Sequence, residues 1–211
     1  MIEFYSWVTP NGRKVSIMLE ECGLEYKTHP IAIGKDEQFA PEFLKISPNN
    51  KIPAIVDTDT GISLMESGAI LLYLAEKTGK FMPTDNVGKW KAMEWLMMQM
   101  GSVGPMLGQT HHFVKYNAGK VPYAENRYLN ENRRIYGVLD RRLSQEPYIA
   151  GSDYTIVDMA TWPWISRFDW QTMDLNVYPN VKRWYLDIVA RPAVQRGYHV
   201  PEKVQEIPLP D

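Results

Sequence analysis

The fold of this chain is decided by the stretch Asn49-Asn50-Lys51-Ile52-Pro53-Ala54-Ile55 and by the segment that follows it, Glu66-Ser67-Gly68-Ala69-Ile70. Ala54–Asp57 and Ile62–Met65 are short apolar segments on either side of a glycine-containing turn, a pattern that predicts a β-hairpin. Ser67–Thr78 comes directly after them, and its apolar residues recur at helical spacing. A hairpin that leads straight into a helix is therefore predicted here.

The residues before this stretch alternate between strand and helix patterns. Ile2–Ser6 is predicted to be a strand, and a turn at Thr9-Pro10-Asn11-Gly12 leads into a helix. The apolar face of that helix has the spacing i, i+3, i+4 and i+7, at Val15, Met18, Leu19 and Cys22. Tyr26–Ile33 is predicted to be a second strand and Pro41–Ile46 a short helix. Residues 1–78 thus have the predicted order β-α-β-α-β-β-α, that of an α/β domain.

The second part of the chain has no strand pattern. Residues 79–86 are rich in turn formers and are predicted to be an interdomain linker, and residues 87–211 are predicted to form an all-α C-terminal domain. Its helices are expected at Val87–Gln99, Tyr123–Gln145, Pro179–Ala190 and Ala193–Tyr198. A further helix is predicted to start at Thr155-Ile156-Val157-Asp158, because the threonine hydroxyl and the aspartate carboxylate can form a capping box.

Composition excludes several classes of function. The chain has 211 residues and a formal net charge of −2, so neither a basic nucleic-acid-binding face nor an acidic tail is indicated. No apolar run approaches the roughly 20 residues of a membrane-spanning helix, and the first residues lack a signal-peptide pattern; a cytoplasmic location is therefore expected. The lone cysteine, Cys22, excludes an intrachain disulfide and a CxxC redox pair. Its place on the apolar helix face predicts a buried, unreactive thiol.

Together these patterns resemble the cytosolic glutathione transferases. The resemblance spans nearly the whole chain and includes both segments quoted first, together with Gly151-Ser152-Asp153-Tyr154-Thr155-Ile156-Val157-Asp158. A narrower resemblance, to the bacterial Nu-class transferases, is carried by Thr9-Pro10-Asn11-Gly12, Ser47-Pro48-Asn49-Asn50-Lys51 and Gly104-Pro105-Met106-Leu107-Gly108-Gln109 with His111-His112-Phe113. It implies a thioredoxin-like first domain, glutathione as bound co-substrate and a homodimer.

The resemblance implies that glutathione is bound by Gln38, Lys51, Ile52, Pro53, Glu66 and Ser67. Ser67 starts a helix, so its hydroxyl and the nearby N–H groups can hold the γ-glutamyl carboxylate while Glu66 faces the ammonium. The alternative is simple capping, since serine is a common N-cap and glutamate a common first-turn residue. Ile52-Pro53 is expected to be a cis bond, and Lys51 to meet the glycine carboxylate. Gln38 is either close to that carboxylate or a solvated loop residue.

Thr9 and Asn11 are the predicted catalytic residues. Their turn stands where redox members of the thioredoxin-like fold have Cys-Pro-x-Cys, but it contains no sulfur. A hydroxyl, an amide and a helix N-terminus can instead stabilise the thiolate of bound glutathione, with Asn11 favoured and Thr9 assisting. A capped turn is the alternative interpretation. Tyr5 and Ser6 are nearby candidates for the same role, but they face opposite sides of a strand, so at most one of them is available.

The helical domain contributes fewer predicted site residues. Arg127 stands where the Nu-class pattern has an arginine that can reach glutathione across a dimer; with Arg133-Arg134, it can equally belong to a solvated helix face. His111-His112 is a weak metal candidate, because adjacent positions on a helix point apart and no third ligand is suitably spaced; no metal is expected. A second-substrate pocket or plain core is predicted for Trp95, Met97, Met98, Met100 and Met106.

The resemblance implies a glutathione-dependent thiol–disulfide oxidoreductase. In this reaction the thiolate of bound glutathione attacks a disulfide, and a second glutathione resolves the product. Two alternatives stay open: conjugation of glutathione to electrophiles or peroxide reduction by the same thiolate, and a non-catalytic glutathione-binding regulatory protein. A small disulfide or electrophile is the expected second substrate, and neither a nucleic acid nor a membrane is an expected partner.

Overall fold

The computed structural model describes all 211 residues. Four strands form one mixed sheet, namely β1 (Ile2–Ser6), β2 (Tyr26–Pro30), β3 (Ala54–Asp57) and β4 (Ile62–Met65). Their order across the sheet is β2-β1-β3-β4. β1 runs parallel to β2, whereas β3 runs antiparallel to both β1 and β4. The predicted hairpin is confirmed with the predicted bounds.

Three helices complete the predicted β-α-β-α-β-β-α order, namely α1 (Pro10–Cys22), α2 (Pro41–Leu44) and α3 (Ser67–Thr78). The remaining helices are α4 (Asn86–Met98), α5 (Gly104–Thr110), α6 (Pro122–Leu143), α7 (Ile156–Ile165), α8 (Pro179–Val189) and α9 (Pro192–Tyr198). The fold class predicted from the sequence is confirmed. None of the helices combines the length and the apolar content that crossing a membrane requires.

Two local predictions differ from the structure. The second strand was predicted to reach Ile33, but β2 ends at Pro30, which pairs with Ser6, the last residue of β1. Two short 3₁₀ turns follow instead, at Ile33–Lys35 and Glu37–Phe39. The helical stretch that was predicted to reach Ile46 ends at Leu44.

The glycines and the proline after α4 lie in irregular helix. α5 is flanked by two π-helical segments, Gln99–Val103 and His111–Tyr116. Pro105 is in the first turn of α5 and has no N–H to donate to the preceding helical turn. The helix type thus changes on both sides of α5.

The chain divides into two compact units. The first unit comprises Met1–Lys80 and Ala190–Ile207, and the second comprises Phe81–Val189 and Pro208–Asp211. Residues 190–207 thus group with the sheet, although the sequence placed them in the helical domain.

Close packing of α9 on α1 explains this grouping. Ser16 Oγ donates to the Gly197 carbonyl at 2.6 Å, and Arg13 Nε donates to the Tyr198 carbonyl at 3.0 Å. A Cβ at Gly197 would lie 2.7 Å from the Ile17 Cα, so the two helix backbones approach more closely than any other residue allows. The sequence pattern of α9 alone does not reveal which neighbour it will contact.

The predicted capping box at the start of α7 is present. Thr155 Oγ1 accepts from the Val157 N–H at 3.2 Å, and the Asp158 carboxylate accepts from the Thr155 N–H at 2.9 Å. The fully buried Asp158 also accepts from the Ile149 N–H at 3.0 Å and from Trp184 Nε1 at 2.8 Å. One carboxylate therefore connects α7 to the preceding loop and to α8.

Replacing this carboxylate is expected to destabilise the second unit strongly. Each buried donor left without an acceptor costs about 1–3 kcal/mol, so Asp158→Ala is expected to lower the free energy of unfolding by about 3 kcal/mol or more. Asp153→Ala, in the exposed part of the same loop, is the control and is expected to change it by less than about 0.5 kcal/mol. Chemical denaturation measures both variants, and equal losses would contradict the assigned role of Asp158.

Candidate functional site

Three chain segments meet at one edge of the sheet in the first unit. Tyr5 of β1 lies opposite Ala54 of β3, and Ala54 lies opposite Met65 of β4. The end of β1, the start of β3 and the end of β4 are therefore neighbours, because β3 is antiparallel to both strands. The segments at this edge carry the predicted site residues Thr9, Asn11, Lys51, Ile52, Pro53, Glu66 and Ser67.

The turn after β1 caps the N-terminus of α1, and the capping hydroxyl can also donate a hydrogen bond. α1 begins at Pro10, and Thr9 Oγ1 accepts a hydrogen bond from the Gly12 N–H at 3.1 Å. A hydroxyl that accepts in this way keeps a hydrogen that it can donate. Asn11, the second residue of α1, is half-buried. A hydroxyl, an amide and the positive end of a helix dipole therefore lie within one turn.

The two alternative donors on β1 have other contacts. Ser6 is fully buried, and its hydroxyl donates to the Trp7 carbonyl at 3.4 Å. Tyr5 points to the other face of the sheet, where its ring stacks on His29 at a centroid distance of 4.6 Å. Burial raises the pKa of Tyr5, which disfavours its phenolate. Thr9 and Asn11 are thus better placed than either residue to stabilise an anion at the start of α1.

Glu66 and Ser67 form the start of α3. Ser67 is the first residue of the helix, while Glu66 is the N-cap and makes no side-chain capping bond. Simple capping therefore does not explain this pair. Glu66 has φ 70° and ψ 111°, a conformation that is costly for a residue with a side chain. Its exposed carboxylate accepts from Asn49 Nδ2 at 3.4 Å. Non-glycine residues in such conformations concentrate at functional sites.

Lys14 was missed in the reasoning from the sequence. It is 1% exposed, and its ammonium donates to Ser67 Oγ at 3.3 Å, which connects α1 to the start of α3. Burial lowers the pKa of Lys14 to about 7, and attraction to Glu66 opposes this shift. One feature of the sequence indicates that Lys14 is buried: it lies four residues before Met18, which is on the apolar face of α1.

The segment before β3 carries the cis-proline. The Ile52–Pro53 bond is cis, as the resemblance implies, and Pro53 is buried. Lys51 is exposed, while its carbonyl accepts from Ser47 Oγ at 2.7 Å, which fixes the loop. The Lys51 side chain can therefore contact a ligand at this edge without leaving a partner unpaired.

Gln38 lies in the 3₁₀ turn Glu37–Phe39, between β2 and α2. Its side chain is partly buried, and Nε2 is 3.5 Å from Asp36 Oδ1. Its Oε1 is buried without a hydrogen-bond partner. No contact in the structure connects Gln38 to the other predicted site residues.

Arg127 belongs to the second unit. It is exposed on α6, and it lines an open cavity of about 580 Å³ that also contains Tyr123, Asn126, Asn130 and Arg134. Arg134 is paired with Glu131 at 2.7 Å, and Arg133 Nη1 donates to Asn130 Oδ1 at 2.8 Å. Both therefore have partners on their own helix.

The two adjacent histidines, His111 and His112, do not form a metal site with other side chains in the structure. His111 is buried, stacks on Trp164 and accepts from Gln171 Nε2 at 3.1 Å; burial, with Arg167 nearby, lowers the pKa of His111 to about 4. His112 is exposed, and no group of three or more possible metal-ligating side chains is found.

Cys22 and some of the residues predicted to form a second-substrate pocket or plain core are not fully buried. Cys22 is half-buried, not fully buried as predicted, because it is the last residue of α1; burial nevertheless raises the pKa of its thiol. Met97 is 51% exposed, and Met106 lines the cavity beside Arg127. The guanidinium of Arg142 lies 5.8 Å from the ring centroid of Trp95.

The conformation of Glu66 provides a test that needs no ligand. Glu66→Gly and Glu66→Ala both remove the carboxylate, but only glycine adopts a positive φ without strain. The Glu66→Gly variant is therefore expected to be about 1 kcal/mol more stable than the Glu66→Ala variant. Ala69→Gly, at an exposed position in α3, is the control and should destabilise the protein by about 1 kcal/mol. Chemical denaturation measures all three, and equal stability of the two Glu66 variants would contradict a strained backbone.

Comparison with known proteins gives a consistent result. The model of the glutathione S-transferase N-terminal domain matches residues 2–76, and that of the C-terminal domain matches residues 124–187. The disulfide-bond oxidoreductase YfcG of Escherichia coli (strain K12) is 50% identical over 198 residues, covering 92% of this chain and 92% of the relative.

Two solved structures are similar over nearly the whole chain. A glutathione transferase from Burkholderia graminis, with two glutathione molecules bound per subunit, has a TM-score of 0.89 and 44% identity, covering 96% of this chain and 89% of that chain. A glutathione transferase from Pseudomonas putida, with one glutathione disulfide bound per subunit, has a TM-score of 0.88 and 40% identity, covering 95% of this chain and 91% of that chain. The chain belongs to the glutathione S-transferase family, in its bacterial Nu-class branch.

Proposed function

We propose that the protein is a glutathione-dependent thiol–disulfide oxidoreductase. The observation that carries this proposal is the turn Thr9-Pro10-Asn11-Gly12, which offers donors at a helix N-terminus but no sulfur. The relative named disulfide-bond oxidoreductase and the structures with bound glutathione or glutathione disulfide support it. Glutathione supplies the sulfur, and the protein supplies the groups that bind and ionise it.

The expected binding mode uses both helix N-termini at the sheet edge. Ser67 and the N–H groups at the start of α3 hold the γ-glutamyl carboxylate, and Glu66 faces the ammonium of the same unit. The backbone of Ile52, before Pro53, pairs with the cysteinyl unit as an added strand would. Lys51 and Gln38 contact the glycine carboxylate.

Simple magnitudes indicate that this site needs no catalytic base. Lowering the pKa of a thiol from about 8.5 to about 6.5 requires roughly 2.7 kcal/mol. One hydrogen bond to a charged group contributes about 1.5–3 kcal/mol, and a helix N-terminus about 0.3–1 kcal/mol. Asn11, assisted by Thr9 and the dipole of α1, is therefore sufficient to hold the sulfur as a thiolate at neutral pH.

The reaction balances with two molecules of glutathione. Asn11 and Thr9 stabilise the attacking thiolate, which forms a bond to one sulfur of the substrate disulfide while the other sulfur leaves as a thiolate and takes up a proton. A second glutathione thiolate then attacks the glutathione sulfur of the mixed disulfide, and the second sulfur of the substrate leaves as a thiolate and takes up a proton. Two glutathione molecules are thereby oxidised to glutathione disulfide, and the substrate disulfide is reduced to two thiols.

A homodimer and a cytoplasmic location stay predictions. In the proposed dimer, Arg127 of one subunit contacts glutathione bound to the other, which is the role that the Nu-class resemblance implies. The open cavity around Arg127 and its exposure on α6 leave its guanidinium accessible to such a partner.

The donor residues are tested through the thiol pKa of bound glutathione. Thr9→Val and Asn11→Ala each remove one donor, and loss of the direct donor is expected to raise this pKa by about 1–2 units. Thr9→Ser keeps the hydroxyl and the cap and is the matched control. The ultraviolet absorbance of the thiolate, followed against pH with saturating glutathione, measures the shift; an unchanged pKa in both variants would exclude these residues as the donors.

The reaction type is tested by two assays on one preparation. Reduction of a small disulfide by glutathione is expected to be fast, and conjugation to a chloro-nitrobenzene slow or absent. Cys22→Ser is expected to keep the full disulfide-exchange rate, because the reacting sulfur is that of glutathione. Strong conjugation without exchange, or loss of exchange in Cys22→Ser, would contradict the proposed reaction.

A further inference from the structure

A buried lysine lies beneath the start of α3. Lys14 is 1% exposed on α1, and its ammonium donates to Ser67 Oγ at 3.3 Å. Ser67, 3% exposed, is the first residue of α3. The ammonium therefore lies at the positive end of the α3 dipole, where both burial and the dipole disfavour a cation.

Burying an ammonium at this position has a cost in stability. A methionine has nearly the same length as lysine and would fill the same space without the cost of desolvating an ammonium. Buried ionisable groups with strongly shifted pKa values cluster at functional sites. The burial and the position of Lys14 thus point to a role in binding.

The charged groups around Lys14 leave the start of α3 attractive to an anion. Glu66 is the carboxylate whose attraction opposes the lowered pKa of Lys14, but its side chain is exposed and also contacts Asn49. Arg13, the preceding residue, is directed to the Tyr198 carbonyl on α9. The basic residues of α9 pair with the C-terminal part of α1, as Arg191 with Glu21 and Arg196 with Glu20.

We propose that Lys14 is a positioning residue for the γ-glutamyl carboxylate of glutathione. Its ammonium donates to Ser67 Oγ, and in the complex with glutathione the Ser67 hydroxyl donates in turn to the carboxylate. A hydroxyl that accepts from a cation is also a stronger donor. The positive charge of Lys14 balances the carboxylate after water has been displaced. This inference rests on the proposed function, since it takes glutathione as the ligand.

Binding is then linked to proton uptake. A carboxylate bound above Ser67 favours the protonated form of Lys14 and raises its pKa from the value of about 7. The complex therefore binds more protons than the free protein between that pH and the raised pKa. Because of this linkage, affinity for a ligand with the carboxylate decreases as the pH rises through this range.

A ligand pair separates this role from a merely structural one. S-methylglutathione has no ionisable thiol, and its analogue with γ-aminobutyrate in place of the γ-glutamyl unit lacks only the carboxylate. By calorimetry, Lys14→Met is expected to bind S-methylglutathione about tenfold more weakly or worse, because a hydrogen bond connected to a charge is lost. Its affinity for the analogue is expected to equal that of the wild-type protein.

Two further measurements keep the test decisive. Lys14→Gln keeps a donor to Ser67 without the charge, and it is expected to lose the same selectivity for the carboxylate. In buffers with different ionisation enthalpies, the wild-type protein is expected to take up protons on binding S-methylglutathione slightly above neutral pH. Both Lys14 variants are expected to take up none.

Several results would overturn the inference. Equal loss of affinity for both ligands in Lys14→Met would indicate a structural role, and wild-type affinity in Lys14→Gln would indicate that the charge is unnecessary. Glu66→Ala is the reference for the site as a whole. If Glu66→Ala weakens S-methylglutathione and Lys14→Met does not, only the role of Lys14 fails; if the wild-type protein does not bind glutathione, the proposed function fails as well.

Discussion

The antiparallel pairing of β3 with both β1 and β4 is the constraint on which the candidate site depends. It places the end of β1, the start of β3 and the end of β4 at the same edge of the sheet. This pairing brings two helix N-termini and one cis-proline loop to that edge. A shift of the β3 register by one residue would reverse the faces of its side chains and separate these segments. The site is therefore a consequence of strand register, and its side chains are placed on rigid elements.

The electrostatics of this edge suit a ligand with several negative charges. The start of α1 offers an amide and a hydroxyl, and the start of α3 offers Ser67 above the buried Lys14. Glu66 is the one acidic side chain at the start of α3, and it suits an ammonium. This distribution matches a molecule with a carboxylate and an ammonium at one end and a thiolate near its centre. The protein thus supplies fixed charges and donors, and the thiol chemistry belongs to the ligand.

Much of the fold was predictable because local signals agree with the tertiary structure. The hairpin of β3 and β4 has a turn-forming sequence between two apolar segments, and α3 starts at the predicted residue. β2 was predicted too long because strand propensity was followed beyond Pro30, although its partner strand β1 ends at Ser6, the residue that pairs with Pro30. The association of α9 with α1 depends on the close contact between Gly197 and Ile17 and on hydrogen bonds from α1 to the end of α9, which no local pattern indicates.

The candidate site was predictable mainly through motifs, and its electrostatics were not. Thr9, Asn11, Glu66 and Ser67 were identified because their segments resemble a family, whereas their residue types alone would equally suit capped turns. Lys14 was missed because lysine on a helix is normally a solvated residue, and only the structure reveals that it is buried. The positive φ of Glu66 also depends on how α3 meets β4, which is a property of the folded chain.

A crystal structure of the protein soaked with glutathione is the most direct measurement of how this site works. The result expected is a γ-glutamyl carboxylate bound to Ser67 above Lys14, with the glutathione sulfur within hydrogen-bonding distance of Asn11 or Thr9. A sulfur atom bound against Tyr5 or Ser6, or a glutathione molecule that does not contact the start of α3, would contradict the site described for this protein.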